Sequence, residues 1–106
     1  MQNTHSITLD TAREIAANDA RETFSTYIPD HLLSPLDPVQ LEAENCWMFF
    51  LHKDVCIPPE SRLGLRWAFV VSKQGSTAMV QDLSDDAEKV HAYVNTMSEY
   101  FKRNGL

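Results

Sequence analysis

Two cysteines and one histidine are the residues of this chain that best suit chemistry, because they lie close together in sequence. Cys46, His52 and Cys56 could form a thiolate–imidazole nucleophile or contribute ligands to zinc. The three residues match no standard ligand spacing, and Cys46 belongs to an apolar run in which a thiol usually serves packing. We therefore expect no catalytic residue, no metal and no cofactor. We also expect both cysteines to be reduced.

The densest group of carboxylates lies near the start of the last polar segment and comprises Asp82, Asp85, Asp86 and Glu88. Paired carboxylates can bind Ca²⁺, but a loop of the EF-hand type needs alternating oxygen ligands, a glycine and a distal glutamate, and this segment lacks that pattern. Acidic side chains are favoured in the first turn of a helix by the positive end of the helix dipole. The cluster therefore indicates a helix N-terminus.

The charge of the chain is uneven along its length. Nine basic and fifteen acidic residues give a net charge of -6, and residues 1–50 contain eight of the acids but only two bases. The eight are Asp10, Glu14, Asp19, Glu22, Asp30, Asp37, Glu42 and Glu44. This sign of charge excludes nucleic acid and anionic membranes as expected partners. If these acids share one surface they suit a basic protein partner, and otherwise they serve ordinary solubility.

Length and composition favour one compact domain that spans residues 1–106. The chain is 43% apolar and 23% charged, which is close to the average for globular domains. Its first residues have neither the basic nor the apolar segment of a secretory leader, and its apolar runs are too short to cross a bilayer. We therefore expect a cytoplasmic protein.

The first half of the chain predicts a helix followed by an ordered loop. The helix starts near Asp10 with a capping box formed by Thr11 and Glu14, and it ends at Pro29. Three of the five prolines lie in residues 29–38, which predicts an irregular connection. We expect this loop to be held against the core by its leucines, which are Leu32, Leu33 and Leu36.

Three strands are predicted next, at residues 41–52, 63–72 and 77–83. The last two are joined by a hairpin turn at Gly75. The first of the three carries bulky apolar side chains on both of its faces, with Trp47, Phe49 and Leu51 alternating with Cys46, Met48 and Phe50. Such a strand is covered on both faces, either by its own chain or on one side by a partner.

The C-terminal segment has the clearest helical pattern, with Ser84 as the predicted N-cap and Gly105 as the C-cap. The order of elements indicates an α+β fold with an N-terminal helix, a three-stranded antiparallel sheet and a C-terminal helix. We expect the helices to pack largely on one face. Aromatic surface would then remain for the proline-rich loop, a second copy of the chain or another protein to cover.

A tryptophan-bearing strand followed by a strand–turn–strand of the form apolar-Val-Val-x-Lys-x-Gly occupies about residues 45–83. Its residues are Trp47, Phe49, Phe50, Phe69, Val70, Val71, Lys73 and Gly75. In these features the chain resembles small bacterial immunity proteins of the toxin–immunity systems used in interbacterial competition. It differs from them by an insertion at residues 57–61 and by a longer C-terminal helix. The resemblance implies a non-catalytic protein that binds a toxin and occludes its active site.

On this hypothesis the acidic first half steers the protein toward a basic face of the toxin, and aromatic side chains anchor the complex. The residues predicted to contact the partner are Asp30, Asp37, Glu42, Glu44, Trp47 and Phe50. An alternative function is that of an acidic secretion chaperone, which would form a homodimer and hold an unfolded segment of its client effector. A third hypothesis is a small enzyme that uses Cys46 and His52.

Overall fold

The computed structural model describes residues 6–55 and 66–106. Its elements are α1 (Leu9–Phe24), a 3-10 helix (Ser25–Tyr27), β1 (Leu36–Glu42), β2 (Cys46–Leu51), β3 (Trp67–Ser72), β4 (Thr77–Gln81) and α2 (Ala87–Arg103). The four strands form one antiparallel sheet in the order β1-β2-β3-β4, so β1 and β4 are its edges. The predicted α+β class and antiparallel sheet are confirmed. The predicted number of strands is wrong, because the sheet has four strands and not three.

The additional strand is β1, which begins within the predicted loop 29–38 and ends at the first residues of predicted strand 41–52. The chain turns at residues 43–45 and returns as β2, so the predicted strand contains this turn. Between Leu36, which faces Leu51, and Gln40, which faces Phe49, the register shifts, so β1 bulges away from β2. Pro38 lies within this bulge, where a residue without a backbone donor is tolerated because β1 is an edge strand.

The two helices lie on opposite faces of the sheet, so the prediction that they share one face is wrong. One face of β2, formed by Trp47, Phe49 and Leu51, packs in the same cluster as the buried residues of α1. The other face, formed by Cys46, Met48 and Phe50, packs with the buried residues of α2. All six residues of β2 are buried. A strand that is apolar on both faces needs a layer on each side, and this chain supplies both layers itself.

Both helices begin at a different residue from the one predicted. Thr8 is the N-cap of α1 and its hydroxyl accepts a hydrogen bond from the backbone N of Thr11 at 3.1 Å, so Thr11 lies inside the first turn. Asp86 is the N-cap of α2 and accepts from the backbone N of Lys89 at 3.1 Å. Ser84 instead donates its backbone N–H to Asp82 in the preceding turn.

The β3–β4 hairpin agrees with its sequence pattern. Gly75 adopts a φ of 97° in the turn, a conformation that only glycine reaches without strain. Residues 63–65 of the predicted second strand lie outside the described residues. Neither described helix has the length and the apolar character that a bilayer crossing requires.

Ser98 connects α2 to the turn between β1 and β2. It is buried, and its hydroxyl oxygen accepts hydrogen bonds from the backbone N of Asn45 at 2.9 Å and from Asn45 Nδ2 at 3.1 Å. The sequence carries no signal for this contact, because a serine on a helix is usually exposed. The contact fixes the β1–β2 hairpin against α2.

We expect the substitution Ser98→Ala to lower the free energy of unfolding by about 1–3 kcal/mol, because it leaves the Asn45 N–H without its partner. Urea denaturation followed by circular dichroism measures this change. The matched control is Thr96→Ala, which removes an exposed hydroxyl that donates to the carbonyl of Ala92, and it should change stability by less than about 0.5 kcal/mol. Equal losses in the two variants would contradict the connecting role of Ser98.

Candidate partner-binding surface

The structure does not bring together the thiol and imidazole that sequence analysis considered for chemistry. Cys46 begins β2 and His52 follows its last residue, so at about 3.3 Å per residue their backbones are roughly 20 Å apart. Cys46 is buried and its Sγ lies 3.7 Å from the carbonyl of Val94, to which it donates. Burial raises the pKa of this thiol to about 11, an effect that the charge of Lys73 only partly offsets. Cys56 lies outside the described residues.

Two histidines instead meet at one carboxylate. Oδ2 of Asp54 lies 3.7 Å from Nε2 of His31 and 3.9 Å from Nδ1 of His52. Nδ1 of His52 also accepts a hydrogen bond from the backbone N of Asp54 at 3.0 Å. His52 and Asp54 are close in the sequence. His31 is distant from them in the sequence, and the folded path of residues 29–38 places it beside Asp54. Within residues 6–55 and 66–106, no three His, Cys, Asp or Glu side chains are grouped so that they could hold a metal ion.

Two of the six predicted contact residues are in the core. Trp47 is 5% exposed and Phe50 is 7% exposed, so neither has the surface that an anchor for a partner requires. Trp47 is further covered by Lys73, whose Nζ lies 4.3 Å from the centre of the indole ring. The prediction that these aromatic residues anchor a partner on an open sheet face disagrees with their burial. α1 covers the face of β2 that carries Trp47, and α2 covers the face that carries Phe50.

A cavity of about 280 Å³ lies where β1 bulges from the sheet. It is lined by Asp37, Val39, Phe50, Leu51, Lys53, Arg66, Asp82 and Ser84. Asp37 and Phe50, both predicted to contact the partner, thus meet in the wall of this cavity. The mixed charges and the apolar floor suit a single side chain of a partner better than a free anionic or cationic ligand.

Arg13 on α1 holds the bulge of β1 in place. Its guanidinium donates hydrogen bonds to the carbonyl oxygens of Asp37 and Pro38, each at 3.0 Å, and to the side-chain oxygen of Gln40. The same guanidinium lies 5.1 Å from the centre of the Phe49 ring. Asp37 is fixed further, because its carboxylate accepts a hydrogen bond from the backbone N of Val39 at 2.9 Å. The bulge is therefore ordered before any partner binds.

The predicted acidic contacts remain at the surface, although they are not equivalent. Glu42 is exposed but forms an ion pair with Lys73. Asp30 and Glu44 are exposed, and neither forms an ion pair with any of the residues that the structure describes. These two carboxylates are free to meet a basic partner.

The most exposed large apolar side chains lie between those acids. Leu33 is 98% exposed and Val39 is 62% exposed. We name residues 30–44, which contain both of them and the four predicted acids, the 30–44 segment. The expectation that Leu33 holds the loop against the core is wrong, whereas Leu36 is buried and Leu32 packs against the core as expected. Leu33 and Val39 take the place of Trp47 and Phe50 as candidate apolar contacts.

The acids of α1 extend this negative surface. Asp10, Glu14 and Glu22 are exposed on α1, and Arg13 joins this helix to β1. In contrast, α2 carries two acids and three bases between Ala87 and Arg103. The excess of negative charge therefore lies on one helix and the sheet edge beside it.

Comparison with known proteins found no matching family model, no matching curated sequence and no matching solved structure.

We expect Cys46 to be unreactive in the folded protein. In a Cys56→Ser variant, a thiol reagent such as Ellman's reagent at pH 8 should modify Cys46 at least about 100-fold more slowly in buffer than in urea, because the raised pKa alone lowers the thiolate fraction by about this factor. Raising the pH toward 11 should accelerate the reaction. Similar rates in buffer and urea at pH 8 would show that Cys46 is accessible and reactive.

Proposed function

We propose that this protein binds a cognate toxin and neutralises it by occluding the active site of the toxin, without catalysis of its own. The resemblance of residues 45–83 to bacterial immunity proteins suggests the type of partner. A cytoplasmic location in the cell that makes the toxin suits this role.

The 30–44 segment carries this proposal, because it combines apolar contact groups with free carboxylates. Leu33 and Val39 expose more of their surface than any other large apolar residue that the structure describes. Asp30 and Glu44 lie at the two ends of the same segment. An apolar centre with a charged rim is the usual composition of a protein interface, in which the apolar groups supply affinity and the charges guide association.

The backbone of the 30–44 segment is preorganised at the bulge of β1. Arg13 holds the carbonyl oxygens of Asp37 and Pro38, so the bulge loses little conformational freedom when a partner docks. The cavity beside Val39 and Phe50 can accept one side chain of the toxin. A basic toxin face would approach the acidic side of the molecule first, and the apolar contacts would form after this encounter.

The secretion chaperone stays an alternative prediction. It would be favoured if the protein purified in equimolar amounts with the N-terminal segment of a secreted effector. The toxin proposal instead requires a folded partner that the 30–44 segment contacts.

Co-expression with the toxin-like product of a neighbouring gene tests the proposal. We expect the wild-type protein to restore growth and the double variant Leu33→Asp/Val39→Asp to fail, because it would bury two added carboxylates in the interface. The matched control is Asn95→Asp/Thr96→Asp on the exposed face of α2, which adds the same charge and should still restore growth. Circular dichroism verifies that both variants are folded. Rescue by the Leu33→Asp/Val39→Asp variant, or no rescue by wild type, would refute the proposal.

Charge reversal tests the steering role of the acids. Asp30→Lys/Glu44→Lys should slow association with the same toxin several-fold at low salt, and the difference should shrink at about 0.5 M salt because the charges are then screened. Stopped-flow fluorescence measures both rates. Glu88→Lys/Glu99→Lys on α2 changes the net charge equally and should slow association less. An equal effect of the two pairs would mean that only the total charge of the protein matters.

A further inference from the structure

We propose that the outer edge of β4, the last strand of the described sheet, is a homodimerisation site, at which a second copy of this chain adds its own β4 in antiparallel orientation. The product would be one continuous eight-stranded sheet with a two-fold axis beside Met79. This inference does not depend on the proposed toxin.

The two edges of the sheet differ in their protection against pairing. β1 bulges, contains Pro38, which has no backbone donor, and has two of its carbonyl oxygens occupied by Arg13. These are the devices by which edge strands avoid pairing with another chain. β4 has none of them, since Thr77–Gln81 contains no charged residue and no proline and pairs with β3 without a register shift.

The free backbone groups of β4 can be identified from its pairing with β3. Ser72 donates its backbone N–H to Ser76 at 2.7 Å, and Asp82 donates to Arg66 at 2.9 Å, so the even-numbered residues of this strand face β3. Thr77, Met79 and Gln81 therefore direct their backbone N–H and C=O groups away from the sheet. Within the described parts of the chain, no hydrogen bond satisfies these groups.

The spacing of these groups is self-complementary. When two β4 strands run antiparallel with Met79 opposite Met79, Thr77 lies opposite Gln81 on both sides of the two-fold axis. Each of these facing pairs can exchange two backbone hydrogen bonds, because each residue offers both groups outward. The opposing side chains are uncharged in every pair.

The side chains of β4 also leave room for a neighbouring strand. Met79 borders the core on the α1 side, and Ala78 and Val80 border the core on the α2 side, but Ala78 and Met79 are only half-buried. The helices pack mainly over β1, β2 and β3. A second β4 would cover the open margins of both cores.

The charge of the protein favours this edge over any other for self-association. Each chain carries a net charge of -6, with its excess on α1 and β1. In the paired sheet the two β1 strands would be separated by about 34 Å, which is several Debye lengths at physiological salt. A basic partner has no reason to prefer β4, because Thr77–Gln81 offers it no carboxylate. A second copy is therefore the occupant that this strand fits.

Sedimentation velocity on paired variants of the full chain tests the proposal. We expect the wild-type protein to form a dimer. Thr77→Lys/Gln81→Lys places like charges opposite each other across the two-fold axis and should weaken the dimer at least about 10-fold. The matched variant Thr77→Lys/Gln81→Glu places opposite charges there and should remain dimeric. Both positions are exposed, and circular dichroism verifies the fold of each variant.

Three results would overturn the inference. A monomeric wild-type protein would show that β4 does not pair with itself. A dimer that resists both variants would lie at another surface. Equal disruption by both variants would contradict the register centred on Met79. None of these results bears on toxin rescue, which tests the 30–44 segment and not β4.

Discussion

β2 has six side chains and none of them can face water, and this constraint governs the arrangement of the whole fold. Leaving either face open would cost about 25 cal/mol for each Å² of exposed apolar surface, so a layer is needed on both sides. The two layers differ in composition. On one face α1 supplies four alanines and Phe24, whose ring packs edge-on against Phe69 of the sheet at a centroid distance of 6.3 Å. On the other face α2 supplies Val90, Val94 and Phe101. Both layers exclude water from the side chains of β2.

Local patterns were sufficient for the parts of the fold that depend on local chemistry. The two helices, the apolar strands and the turn at Gly75 could be predicted, because periodicity and a positive φ are encoded by neighbouring residues. β1 could not, since Pro38 and the two prolines before this strand indicate a loop, and only pairing with β2 makes the segment a strand. The placement of the helices could not be predicted either. The apolar residues on both faces of β2 indicate that both faces are covered, but they do not indicate which helix covers each face.

The candidate surface was predictable in its charge and not in its apolar contacts. Acidic side chains remain at the surface almost regardless of fold, so Asp30 and Glu44 could be chosen from sequence. Aromatic residues are harder to assign to an interface from sequence, because a residue such as Trp47 or Phe50 can pack equally well in the core. Leu33 and Val39 gave no signal, because one apolar residue in a loop has no periodicity that indicates the direction of its side chain. The exposure of Val39 follows from the bulge of β1, and Leu33 lies in the bend that precedes this strand.

Arg13 binds the bulge of β1 through main-chain oxygens of Asp37 and Pro38, and this has a consequence for how the protein can evolve. Carbonyl groups are the same in every amino acid, so these two hydrogen bonds do not depend on the side chains at positions 37 and 38, and only the third, to Gln40, needs a particular side chain. Residues at these positions can therefore be exchanged while the shape of the loop is retained. Point mutations at these positions would then change the contact surface of the protein and leave its backbone in place.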